Sequence, residues 1–161
     1  MVQRPGPCGS GCLYAQDTTA IVNVLEAYVT DIVSTFKDDS RIFAWDLYNE
    51  PGGGQDPDRY WERSFPLLKD VFSWARKVNP SQPLTVGVWN SRLHEMNAWQ
   101  LANSDIITYH TYAPLESHKE MVDTLSRYSR PMVCTEYMAR TEGSTFQTIL
   151  PMLKEAGVGA I

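Results

Sequence analysis

Two glutamates close apolar runs in this chain: Glu50 ends RIFAWDLYNE (41–50) and Glu136 ends PMVCTE (131–136). Pro51 and three glycines follow the first run, so it reads as a buried strand feeding a loop. Other polar and aromatic residues fall at the same ends of similar runs: Asn49 beside Glu50, Trp89-Asn90, His110 with Tyr112, and Tyr137 after Glu136. The opposite ends carry Arg41, Pro83, Asp105 and Pro131, ordinary connection residues. A parallel α/β sheet builds its sites at the C-terminal ends of its strands. Two carboxylates brought together there suit acid/base chemistry at an acetal. At a separation of about 5–5.5 Å, one attacks the anomeric carbon while the other donates a proton to the leaving oxygen. Carboxylates held that close do not both ionise readily, so one keeps its proton and serves as the acid.

For these residues to meet, helix and strand must alternate. Residues 1–16 are rich in glycine and proline and read as an irregular lead-in. Asp17 or Thr18 can cap a helix to about Lys37, with Ile21, Leu25, Val29, Ile32, Val33 and Phe36 on one stripe. The strand at 41–50 follows, then a helical pattern through Trp61, Phe65, Leu68, Phe72 and Ala75 in which Pro66 predicts a start or a kink. Strands are then predicted at 83–89, 106–110, 131–136 and from Val158, separated by helices through Leu93, Met96 and Leu101, through Met121, Leu125 and Tyr128, and from a Ser144 cap to Gly157. Five alternations call for a parallel sheet with right-handed crossovers. Open sheet and barrel are both allowed; a closed eight-unit barrel takes about 250 residues, so a single domain of 161 residues, 1–161, has too few units to close one.

A 43% hydrophobic, 20% charged composition is that of an ordinary globular protein. A formal charge of -5 with no cluster of Lys or Arg removes the electrostatic basis for binding nucleic acid or an anionic membrane. A neutral substrate fits better. No apolar run approaches a membrane span, and no hydrophobic signal segment follows Met1. Cys8, Cys12 and Cys134 cannot all pair within one chain and lack the further ligands of a zinc site, so free thiols are expected, with no metal or cofactor.

Each motif also has an ordinary structural reading. Asn-Glu-Pro can be a helix-initiating turn, Glu136 a solvated strand end or a partner of Arg140, and His110 a hydrogen-bonded core histidine. His94 and His118, on helical stretches, read as surface residues. Trp45, Tyr48, Trp61 and Tyr137 read as core, which leaves Trp89 and Tyr112 as the candidates for stacking on a sugar ring.

Taken together, WDLYNEP (45–51), His110-Thr111-Tyr112 and Glu136 in their order along the chain resemble glycoside hydrolase family 5, the cellulase- and mannanase-like family of the clan A retaining β-glycosidases. The resemblance implies a (β/α)8 TIM-type barrel, of which this chain corresponds to strands four to the start of eight. It implies that Glu50 is the general acid/base, Glu136 the nucleophile, Asn49 a partner of the sugar 2-hydroxyl, and His110 and Tyr112 lining of the catalytic subsite. A carbohydrate partner, no cofactor and an extracellular or periplasmic setting follow from it, while the oligomeric state does not. The family's strand-two arginine and strand-eight tryptophan have no counterpart here, so little hydrolysis is expected of these residues by themselves. The alternative is a non-catalytic carbohydrate-binding or scaffold remnant. A nucleotide-binding doubly wound sheet would need a glycine-rich turn opening a helix, and Gly52-Gly53-Gly54 lacks its features.

Overall fold

The computed structural model describes residues 19–53 and 57–161; the lead-in, the Asp17 or Thr18 cap, Cys8 and Cys12 lie outside them. The elements in order are α1 (Thr19–Phe36), β1 (Trp45–Asp46), α2 (Pro57–Val78), β2 (Leu84–Thr85), α3 (His94–Asn103), β3 (Ile107–His110), α4 (Leu115–Ser126), β4 (Met132–Glu136), a 3-10 turn (Arg140–Glu142), α5 (Phe146–Glu155) and β5 (Gly159–Ala160). The expected alternation is present throughout.

Every strand pairing is parallel: β1 with β2, β3 with β4, and β4 with β5. The two groups of strands join through a parallel bridge between Val88 and Tyr109, with Val88 N–H donating to Thr108 O at 3.0 Å and His110 N–H to Val88 O at 2.9 Å. Between β2 and that bridge, the Gly87 carbonyl accepts the Gln100 side-chain amide at 3.2 Å. The result is an arc of parallel strands in chain order, as a (β/α)8 barrel requires.

Side chains alternate between the faces of the arc. Trp45, Leu84, Val86, Val88, Ile107, Tyr109 and Cys134 point outward into two apolar clusters shared with the helices. The first cluster is completed by Leu67, Leu68, Val71, Phe72 and Ala75 of α2, the second by Val122 and Leu125 of α4 and Ile149 and Leu153 of α5. The inner face is polar, with Asp46, Thr85, Thr108 and His110 along it, and the hydroxyls of Thr85 and Thr108 meet at 2.8 Å. Helices therefore cover one face only.

Several local expectations are corrected. The run 41–50 forms only a two-residue strand and is half-exposed, with Phe43 63% accessible, because among the described residues β1 is paired on one side alone. Ile42 and Ala44 precede the strand, Val86 and Val88 follow β2, and Ile161 follows β5, rather than lying within them. Of the two readings of Pro66 the start is corrected, because the helix begins at Pro57 and has the proline inside it. Tyr128 falls beyond α4 and is exposed. The N-cap of α5 is Thr145, whose hydroxyl accepts from the Thr148 N–H in a capping box; Ser144 is instead buried, its hydroxyl donating to the Tyr137 carbonyl. Gly157 does end α5. Its φ of 69° permits a Schellman turn, with Val158 N–H reaching Leu153 O at 2.9 Å and Gly157 N–H reaching Lys154 O at 3.2 Å. Among the described residues no helix is long and apolar enough to cross a membrane.

Candidate active site

Glu50 follows β1 and is held by a turn rather than by a ladder. Pro51 presets its own φ, Gly52 takes a φ of 77°, and Gly53 N–H returns to Glu50 O at 2.9 Å, which is a type II turn. A Cβ at Gly53 would stand 2.7 Å from the Glu50 carbonyl oxygen, so only glycine fits there. Glu50 itself has a φ of 45°, a left-handed conformation that costs a non-glycine residue about 1 kcal/mol or more. Trp89 braces this turn by donating its indole N–H to Pro51 O at 3.0 Å.

Glu136 is aimed by a β-bulge. Tyr109 pairs with Cys134, but His110 pairs with Glu136, so Thr135 is the extra residue on β4. Without the bulge Thr135 would sit beside His110. With it, Glu136 comes alongside the imidazole on the inner face, and the ladder resumes from Thr111 N–H to Glu136 O at 3.0 Å.

His110 lies between the two carboxylates and is only 4% exposed. Its Nδ1 is 3.0 Å from Glu50 Oε1 and 3.7 Å from Glu136 Oε1. The ring fits because residue 87 is glycine; a Cβ there would approach His110 Nε2 to 3.1 Å. The Tyr112 hydroxyl donates to Glu136 Oε2, and that bond, more than burial, pushes the Tyr112 phenol up to about 12. The hydroxyl therefore remains a donor at any working pH.

One oxygen from each glutamate and a ring nitrogen of His110 lie within 4.8 Å of one another. Three such donors could share a divalent cation. They equally bring together the two carboxylates that acid/base and nucleophilic chemistry at an acetal requires. Of the six expected site residues, Glu50, Glu136, His110 and Tyr112 converge, and Trp89 supports the turn that carries Glu50. Asn49 is exposed and lines a groove of about 220 Å³ between α1, α2 and β1, with Leu25, Tyr28 and Val71.

Asp46 went unnoticed in the sequence. It stands on the inner face below the site, where desolvation by the surrounding protein pushes its carboxyl up to about 6 although the side chain keeps contact with solvent. The available signal was parity beside Trp45, since neighbouring residues of a strand face opposite ways and the apolar one takes the core. His118 was also misread. It is fully buried, because it shares the α4 stripe of Val122 and Leu125.

Comparison with known proteins adds two findings and one negative result. A sequence model of the family described as cellulase (glycosyl hydrolase family 5) matches residues 10–161. The fold is similar to that of a β-glucuronidase from Bacteroides uniformis, with a TM-score of 0.71 at 13% identity over 89% of this chain and 21% of that one. It is also similar to a β-glucuronidase from Faecalibacterium prausnitzii, with a TM-score of 0.58 at 14% identity over 87% of this chain and 28% of the other. The chain thus spans less than a third of the length of either solved protein. At such identities the likeness speaks for the fold, a portion of a TIM-type glycosidase barrel. A search of curated proteins gave no match.

Proposed function

Since this chain belongs to the cellulase family, glycosyl hydrolase family 5, we propose that it hydrolyses O-glycosidic bonds of a neutral β-linked polysaccharide or oligosaccharide by a retaining double displacement, in the manner of an endo-β-glycanase. The observation that carries this reading is the meeting of Glu50 and Glu136 around His110, with an oxygen of each within 4.8 Å of the other. That nearest-oxygen approach is compatible with the retaining separation of about 5–5.5 Å between carboxyls and supports this reading over an inverting pair about 6.5–9.5 Å apart.

In the first step a Glu136 oxygen attacks the anomeric carbon, the glycosidic C–O bond breaks, and Glu50 gives its proton to the departing oxygen. In the second step Glu50 takes a proton from water, the water oxygen attacks the same carbon, and the ester to Glu136 breaks. Tyr112 holds one Glu136 oxygen by its hydroxyl and leaves the other to react. The His110 imidazole, hydrogen-bonded through Nδ1 to Glu50 Oε1 at 3.0 Å, orients the carboxyl that serves as acid and base. The remaining charge, spread over an oxocarbenium-like transition state, is stabilised by the carboxylates themselves.

The test is an assay on an aryl β-glycoside and a soluble β-glycan, with the segment alone and joined to further βα units that close the ring beyond β1. Faster turnover is expected in the closed ring, because each 1.4 kcal/mol of transition-state stabilisation supplied by the rest of the barrel is about tenfold in rate. There, Glu136→Ala abolishes turnover, and azide restores it with inverted stereochemistry. Glu50→Ala mainly slows substrates with poor leaving groups. Unchanged activity in either variant removes that glutamate from the mechanism.

A further inference from the structure

Behind the site, on the outer face of the strands, lie three polar groups that the proposed mechanism does not use. His118 of α4 is fully buried, and its Nε2 is 3.0 Å from the Tyr109 hydroxyl, the two rings meeting edge-on at 5.6 Å. Tyr109 of β3, also fully buried, stands beside Cys134 of β4, its partner in the parallel ladder. Cys134 in turn donates from Sγ to the backbone carbonyl of Glu136 at 3.6 Å. We propose that this relay of His118, Tyr109 and Cys134 positions Glu136 for attack, by fixing the bulged segment of β4 from behind.

Three observations support a positioning role over mere filling of the core. First, the relay sits where the register slips. Tyr109 and Cys134 are the last regular pair, and Thr135 is the extra residue, so the backbone about to present Glu136 is the part the ladder holds least. Second, one proton arrangement suits all three groups: His118 Nε2–H donates to Tyr109 Oη, the Tyr109 O–H is left free to turn toward neighbouring Cys134, and Cys134 S–H donates to Glu136 O. It leaves His118 Nδ1 as a bare lone pair, and that atom is buried without a hydrogen-bond partner among the described residues. The other tautomer would bury an orphan N–H there, which costs more. Third, the neighbours are apolar, among them Ile107, Val122, Leu125, Ile149 and Leu153, and apolar side chains would fill the space without the cost of burying polar ones.

The relay also stays neutral across the working range. Burial lowers the His118 imidazole below its usual value, raises the Tyr109 phenol, and pushes the Cys134 thiol up to about 11. The hydrogen-bond pattern therefore does not change while Glu50 gives up its proton and regains one.

The inference rests on Glu136 being the nucleophile, and its test separates the two ideas. Tyr109→Phe and His118→Leu break the relay; His118→Gln keeps an N–H donor for Tyr109 and is the conservative rescue. Val71→Ala, in the first apolar cluster, is the control for general loss of stability. Two readouts are taken on the chain joined to the βα units that close the ring: the rate at which a 2-deoxy-2-fluoro-β-glycosyl fluoride labels Glu136, and the 13Cζ resonance of Tyr112, whose hydroxyl bonds Glu136. Tyr109→Phe and His118→Leu should slow labelling about tenfold with KM nearly unchanged and move the Tyr112 resonance, while His118→Gln stays near wild type in both. If both readouts follow melting temperature alone, with Val71→Ala as affected as Tyr109→Phe, the relay is only core. If wild type is never labelled at Glu136, the hydrolase mechanism fails, and the Tyr112 resonance still decides whether the relay holds that glutamate.

Discussion

The two carboxylates at the centre of this molecule are held by different means. Glu50 follows a two-residue strand that is half-exposed, and its position comes from a tight turn, a left-handed backbone and the indole of Trp89. Glu136 ends a five-residue strand with neighbours on both sides, and it is placed by a bulge, a hydroxyl donor and the packing behind it. The cores differ in the same way. Around β1 and β2 the apolar cluster is mostly helix against helix, whereas around β3 and β4 the strands themselves are buried along their length. Local covalent geometry can therefore position a reactive group where the ladder is thin, and the two halves should fail in different ways when perturbed.

The largest difference is expected at Gly53. In Gly53→Ala the new methyl, 2.7 Å from the Glu50 carbonyl oxygen, must open the turn. A displacement of about 1 Å at a catalytic group can cost roughly a hundredfold in rate. The loss should fall on substrates that need an acid, and it should leave labelling of Glu136 by an activated glycosyl fluoride nearly intact. If poor and good leaving groups suffer alike, Glu50 is not positioned by its turn in the way the contrast requires.

The same contrast explains what could be read in the sequence. The alternation of helices and strands, their approximate ends, and the gathering of Glu50, His110, Tyr112 and Glu136 at one edge were all legible, because hydrophobic periodicity and turn residues are local signals. The bulge at Thr135 was not, since a slip of one residue leaves the composition of β4 unchanged and is decided by its partner strand. The half-exposed state of residues 41–50 was hidden for a related reason: an apolar run looks the same whether one neighbour pairs with it or two. His118 was misjudged by residue type, when its spacing of four and seven to Val122 and Leu125 already put it on the buried stripe.

A smaller effect is expected at the strap that joins the halves. Arg76 of α2 makes two 2.7 Å bonds to the Asp105 carboxylate just before β3, and Asp105 Oδ2 also accepts the N–H of fully buried Leu84 in β2 at 2.7 Å. The pair is partly exposed, so Arg76→Ala should cost only about 0.5–1 kcal/mol. Asp105→Ala additionally strips a buried N–H of its acceptor, which adds about 1–3 kcal/mol. Urea unfolding of both variants checks this. Equal costs would mean that the guanidinium, and not the link between β2 and β3, is what Asp105 is there to bind.

The smallest effect is a pair of opposed pH slopes, one from each half. Asp46, below Glu50, has its carboxyl raised to about 6 by the surrounding protein, against an ordinary value of 3.8. Between those values the folded chain binds more protons at this site than the unfolded chain, so its contribution to stability falls as pH rises from about 4 to about 6. His118, behind Glu136, is lowered from 6.5 by burial. Near and below 6.5 the unfolded chain is the one that binds the extra proton, so this contribution is complete above that value and is lost as pH falls through the folded one. Solvent contact at Asp46 screens its share, which makes it a slope and not a collapse. Asp46→Asn should therefore gain on wild type steadily between about pH 4 and about pH 6 in urea midpoints, and keep that gain at neutral pH. His118→Gln, which cannot take up the proton, should gain on wild type in the opposite direction, as pH falls below about 6.5. A variant whose midpoint merely parallels the wild-type curve would show that its group has the same proton affinity folded and unfolded, and the contrast between the two halves would then be one of geometry alone.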